Sequence, residues 1–233
     1  MREEKQRFSW TPRTELGRKV AAGEVTSMKQ VLRSGTRVLE PEIVDVLLPD
    51  LKEEVLEITS TQRMTACGRK MQLRAIVVVG NRNGAIAVGV GKGRESRDAV
   101  AEAIRDAKKH ITIIRLGCGS WECGCGTEHS ISQETRGKSG TTEIVIKPAP
   151  RGIGIVAGEV ARIVLQLVGI KDAWSFAKGR TRNKLSMSQA AINALEKLSH
   201  LKKGKDGVEE EKEEVQAPSE SQEESRKEEE TSE

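Results

Sequence analysis

A chain of 233 residues is long enough for one or two domains with a real core, so no disulfide framework is required. Its formal charge of +4 conceals a division: residues 205–233 hold thirteen acidic and four basic side chains, −9 in all, which leaves residues 1–204 at +13. So basic a body points to a polyanionic partner, and with two Phe, three Trp and no Tyr it is expected to read backbone and shape rather than stack bases. The opening MREEKQRFSW has neither an apolar core nor a cleavage site of a leader, and no apolar run is long enough to span a membrane. A cytoplasmic chain with reduced thiols, with no membrane partner, is therefore expected.

Residues 1–40 read as a basic N-terminal arm, with Arg2, Lys5, Arg7, Arg13 and Arg18 among its cations. Trp10 serves there either as a hook or as a lone aromatic covering the domain behind it. Pro41 and Pro49 bracket a short helix over 42–48. From there to residue 116 the pattern is strand, strand, strand, helix. Strands are expected at 55–64, 71–79 and 85–90, with a basic turn at 65–70 that carries Arg69 and Lys70. Gly80-Asn81-Arg82-Asn83-Gly84 is a strong hairpin signal, and Val100, Ala103, Ile104, Ala107 and Ile111 give the helix its apolar face.

Gly89, Gly91 and Gly93, with Lys92, Arg94 and Arg97, lead into that helix. The run lacks the last glycine of a dinucleotide fingerprint and follows an antiparallel meander, so that reading is rejected. What remains is a helix start with three cations suited to a sugar-phosphate backbone; the bland alternative is a solvated basic helix start. Residues 117–129 form a glycine-rich connector with Cys118, Cys123, Cys125 and His129 in the order C-x4-C-x-C-x3-H. Three thiols and an imidazole are an allowed zinc set, but the paired C-x2-C steps of a knuckle are missing. No metal and no cofactor is assigned from the sequence, and reduced cysteines are the first reading.

Residues 130–204 form a second domain. A strand over 141–147 leads into 148–158, PAPRGIGIVAG, in which Gly152, Gly154 and Gly158 allow a tight turn and Arg151 sits beside amides that open a helix. Val156, Val160, Ile163, Val164 and Leu167 recur at helical spacing, and Gly169 supplies the stop. A strand over 170–176, a basic loop over 178–184 with Arg180 and Arg182, and a helix over 185–201 follow. From Lys205 the composition is that of a disordered acidic tail.

The runs GNRNGAIAVGVGKGRE, RLGCGSWECGCGTEHSI and IKPAPRGIGIVAGEVARIVLQLVGIKD, with the GRTR loop, resemble small-subunit ribosomal protein five, the universal S-five family, in its archaeal form. The resemblance covers residues 8–200. It implies an α/β (α+β) chain: a domain similar to double-stranded-RNA-binding folds, then a βαβ domain whose crossover is left-handed. It further implies a structural constituent of the small ribosomal subunit that binds ribosomal RNA near the body, neck and decoding region. Such proteins touch the fourth and eighth ribosomal proteins, influence reading accuracy and help line the path by which messenger RNA enters. By position, the loop 65–70 resembles the family's RNA-contacting loop, and Lys92, Arg94, Arg151, Arg180 and Arg182 fall in matching segments. Residues 136–140 lie where the family meets a protein neighbour. Leu185, Ser186, Met187 and Ser188 replace an aromatic-Asn-Phe-Ala run, and the tail lies outside the family pattern.

Two other functions remain open on the residues. The Pro-x3-Gly-x-Gly loop between strand and helix resembles the phosphate loop of small-molecule kinases, although Ile155, Val156 and Ala157 stand where that family has serines and no acid is placed as a base. A zinc-dependent RNA module acting off the ribosome would rest on the cysteine array alone.

Overall fold

Residues 75–79 are five consecutive buried side chains, and because a strand turns successive side chains to opposite faces, the sheet that holds them must be covered on both sides. In the computed structural model, which describes residues 10–125 and 127–199, the run lies in β2 (Gly68–Gly80). β2 pairs antiparallel with β1 (Lys52–Thr65) and β3 (Ala85–Gly93), and β4 (Thr112–Ile113) completes the order β1-β2-β3-β4. Ala75, Val77 and Val79, with Ala85 and Ala87, face a core that α4 (Ser96–Lys109) closes with Ala99, Ala103 and Ala107. Ile76, Val78 and Ile86 face a second core, built with α5 (Glu159–Val168) and α6 (Lys184–Ser199).

Three antiparallel strands and a helix are thus present as expected, with two adjustments. β1 and β2 stay paired until Thr65 faces Gly68, so Ala66 and Cys67 alone make the turn, and Arg69 and Lys70 belong to a strand. β3 runs on through Gly91 and Gly93, so the glycines expected to open a helix lie in the sheet. A Cβ at Gly89 would stand 2.0 Å from the Ala103 carbonyl oxygen and one at Gly91 2.2 Å from that of Ala99. The missing side chains let α4 lie directly on β3.

The basic segment before the sheet is folded from Trp10 onward, and residues 1–9, with Arg2, Lys5 and Arg7, are outside the described residues. α1 (Glu15–Ala22), α2 (Met28–Arg33) and the expected α3 (Glu42–Leu47) bring Val20, Met28, Val31, Ile43 and Val44 into the first core, with Trp10 packed half-buried against it. Glu40 ties this layer together: its Oε1 accepts the amides of Arg13 at 3.0 Å and Thr14 at 2.7 Å, at the positive end of α1. Burial opposes the charge, but those amides, the Thr14 hydroxyl and the Trp10 indole outweigh it and hold the carboxyl below its ordinary value of 4.5. A carboxyl depressed in the fold contributes fully above its unfolded pKa and is lost as pH falls through the lower folded one. The protection factors of the Arg13 and Thr14 amides, taken relative to intrinsic exchange, are therefore expected to hold steady at neutral pH and to drop once the solution is acid enough to protonate the depressed carboxyl. Glu40→Gln should abolish that acid step, and an identical step in the variant would refute the tie.

The second sheet has the order β5-β6-β8-β7: β5 (Thr135–Ser139), β6 (Thr142–Pro148), β7 (Ile155–Val156) and β8 (Ala173–Lys178). β6 is antiparallel to both β5 and β8; the parallel pair is β7 and β8, joined through α5. Val156 therefore belongs to a short strand and not to the helix. α5 ends at Gly169, whose φ of 104° is open to glycine and whose Cβ would meet the Arg82 carbonyl oxygen at 2.1 Å. The GNRNG turn supplies what that helix end lacks. Arg82 and Gly84 amides donate to the carbonyls of Leu167 and Val168, each at 2.8 Å. The acidic tail expected over 205–233, and the end of the last expected helix from residue 200, lie outside the described residues.

Candidate nucleic-acid interface

β3 ends opposite Leu73, so β1 and β2 project beyond it as a two-stranded ribbon. Register decides what that ribbon presents. Arg63 pairs with Lys70 and Arg74 with Lys92, which sets two cations directly opposite two others. Lys70, Arg74, Ile76 and Val78 are spaced by even steps along β2, so these cations share the face that carries the second core, just past its edge. Along the strand Lys70 and Arg74 are roughly 13 Å apart. Like charges opposed across a sheet destabilise it, and a row of phosphates reverses that cost. Arg69 lies on the other face of the ribbon, while Arg94 and Arg97 stand exposed where β3 passes into α4. Cations at the start of a helix oppose its dipole, so they too gain from an anion there.

Five of the eight residues expected to bind RNA, Arg69, Lys70, Lys92, Arg94 and Arg97, therefore gather at one end of the first sheet. The other three do not form one group with them or with each other. Arg151 follows β6 at the end where Pro148 faces Ala173, whereas Arg180 and Arg182 follow β8 at the end where Lys178 faces Glu143, roughly 17 Å away along the strands. The segment carrying Arg180 and Arg182 touches both sheets: the Arg180 carbonyl accepts from the Thr142 hydroxyl at 2.9 Å, and Lys184, at the start of α6, donates to the Leu56 carbonyl at 3.0 Å, where β1 bulges out of register. All eight are exposed, and none is ion-paired with a described carboxylate.

The expectation for residues 148–158 needs correction. Arg151 does not stand beside amides that open a helix, because β7 intervenes before α5. The loop amides are engaged inward: Gly152 at 3.0 Å and Gly154 at 2.8 Å donate to Asp172 Oδ1. The other oxygen, Oδ2, lies 2.9 Å from His129 Nδ1. Burial pushes the Asp172 carboxyl up, but hydrogen bonds from Gly154, His129 and Gly152 together hold it below its ordinary value. Asp172 is 4 % exposed and organises the loop from beneath.

Sequence reading missed Arg63, Arg74 and Asp172. The first two become visible once the turn is two residues long, since Arg63 then faces Lys70; Asp172 carries no local signal. Two aromatics also stand clear of the cores, Trp121 at 91 % exposed in the cysteine loop and Phe176 at 57 %, with Lys147 Nζ 5.7 Å from the Phe176 ring.

Two family descriptions match this chain: Ribosomal protein S5, N-terminal domain, over residues 51–115, and Ribosomal protein S5, C-terminal domain, over residues 137–207. Small ribosomal subunit protein uS5 of Methanoregula boonei is 49% identical over 200 residues, spanning 86% of this chain and 98% of that relative. The protein of the same name from Methanocaldococcus jannaschii is 50% identical over 190 residues, 82% of this chain and 88% of its own length. That of Ignicoccus hospitalis is 48% identical over 186 residues, 80% and 88%. With the first sheet, its projecting basic ribbon, the glycine loop and all but the first two residues of the second sheet inside the matched lengths, this chain belongs to the ribosomal protein S5 family.

Proposed function

We propose that this chain is a structural, RNA-binding constituent of the small ribosomal subunit, working in the cytoplasm as part of the ribosome and supporting translational accuracy near the decoding region. The observation that carries the reading is the pair of like-charge couples on one sheet face, Arg63 with Lys70 and Arg74 with Lys92. Such a face is stabilised by a polyanion and by little else. Arg69, Arg94 and Arg97 extend it at the ribbon end, Arg180 and Arg182 contact RNA beside β1, and Arg151 does so separately. In this reading residues 41–116 are the RNA-binding domain and residues 130–204 the second domain. The fourth and eighth ribosomal proteins are its neighbours, residues 136–140 meet a protein neighbour, and the chain helps line the channel through which messenger RNA arrives.

No catalytic role is part of this reading. A kinase loop needs free amides for its nucleotide phosphates, and here the Gly152 and Gly154 amides are bonded to Asp172. The test is sedimentation of a cell lysate through sucrose at high and low magnesium, with the chain followed by mass spectrometry. Stoichiometric travel with the small-subunit peak is expected; a chain that stays at the top of both gradients would overturn the assignment.

A further inference from the structure

The spacing of Cys118, Cys123, Cys125 and His129 fits no standard knuckle, yet the fold brings them to one point. His129 Nε2 lies 3.2 Å from Cys118 Sγ and 3.7 Å from Cys123 Sγ, Cys125 Sγ lies 3.6 Å from Cys118 Sγ, and all four donor atoms fall within 4.8 Å of one another. Bonds of about 2.3 Å to sulfur and 2.0 Å to nitrogen, set tetrahedrally, place the donors about 3.5–3.8 Å apart. We propose that these four side chains hold a structural zinc ion in a Cys3His site.

Three further features support this. The ends of the cysteine loop are clamped: Gly117 and Ser130 exchange both backbone hydrogen bonds, and the Gly119 amide donates to the Ile131 carbonyl at 3.0 Å. Gly119 lies so close to its neighbour that a Cβ there would stand 1.9 Å from the Ser132 carbonyl oxygen, so the clamp is tight. The histidine is also oriented as a ligand. Its Nδ1 is held by Asp172 Oδ2, which leaves Nε2 as the nitrogen facing the thiols, and a carboxylate behind a ligating imidazole is the usual outer partner of a zinc site. Finally, four protein donors fill the coordination of zinc, so the ion has no open position for water and serves structure.

Asp172 gives the ion a reach beyond its own loop. One oxygen fixes His129 and the other accepts Gly152 and Gly154, so the metal, the imidazole, the carboxylate and the Arg151 loop form one continuous chain of bonds. Zinc thereby helps to set the position of the 148–158 loop through one imidazole and one carboxylate.

The experiment uses the full-length chain, purified without chelator. Metal analysis should return one zinc per chain. Alkylation of the native protein should label only the exposed Cys67, and removal of zinc should open Cys118, Cys123 and Cys125 to the same reagent. Cobalt(II) added to the stripped chain should give the intense visible bands of a tetrahedral thiolate site. Cys67→Ser should retain the zinc; Cys125→Ser should lose it. Asp172→Asn keeps an acceptor for the glycine amides, and its affinity for zinc, measured by competition with a chelator, should fall about 10–100-fold. Less than a tenth of an equivalent of zinc, with all four thiols labelled at one rate and no cobalt bands, would overturn the proposal. So would a Cys118 to Cys125 disulfide, or iron as the resident metal.

Discussion

Asp172→Ala is expected to cost the chain about 3–5 kcal/mol of stability, the scale for removing one partner of a buried charged network. The carboxylate is nearly inaccessible and receives three donors: the Gly152 amide, the Gly154 amide and His129 Nδ1. Alanine leaves all three without an acceptor, in a place water reaches poorly. Asp172→Asn retains one oxygen for the two amides and should lose about 1–2 kcal/mol. Urea unfolding gives the totals, and hydrogen exchange at Gly152 and Gly154 localises them. An alanine variant within about 1 kcal/mol of the parent would show that the loop is held by something else.

The triple variant Arg63→Gln, Lys70→Gln, Lys92→Gln should separate two quantities that usually fall together. Each phosphate contact adds about 0.7–0.9 to the slope of log affinity against log salt, so binding to small-subunit ribosomal RNA should lose about 2 from that slope. Stability of the free protein should rise, since each opposed like-charge couple costs roughly 0.2–1 kcal/mol in the absence of RNA. Filter binding between 50 and 200 mM salt measures the first and thermal unfolding the second. Weaker binding with lower stability would mean that the fold had been damaged; an unchanged slope would remove the ribbon from the interface.

Which parts of this could be read from residues alone follows from how local their causes are. The turn at Gly80-Asn81-Arg82-Asn83-Gly84 and the helix ended by Gly169 were legible because glycine and asparagine mark their own conformations. β5 was missed because Thr135-Arg136-Gly137-Lys138-Ser139 has almost no apolar content; it is a strand because β6 pairs with it and α6 lies across it. α1 and α2 were missed because Val20, Met28 and Val31 are too sparse to print a period, though they bury well against α4 and its sheet. Gly89, Gly91 and Gly93 were assigned to a helix start on their composition, when their alternation was the spacing of one strand face. The eight cations were visible as charges, but which of them gather was fixed by register, and register depends on pairing across a turn. Asp172 is the extreme case, since its three partners lie eighteen to forty-three residues away.

The first sheet is made before half of its cover. On the ribosome that synthesises this chain, Ile76, Val78 and Ile86 emerge well ahead of α5 and α6, the helices that will hide them. At about 5–20 residues per second the gap between Ile86 and Leu195 lasts roughly 5–20 s. For that interval a growing polypeptide carries a bare apolar sheet face bordered by a basic ribbon. Burial of that face therefore waits on the translation of α5 and α6, and the second half of the chain completes the cover of the first.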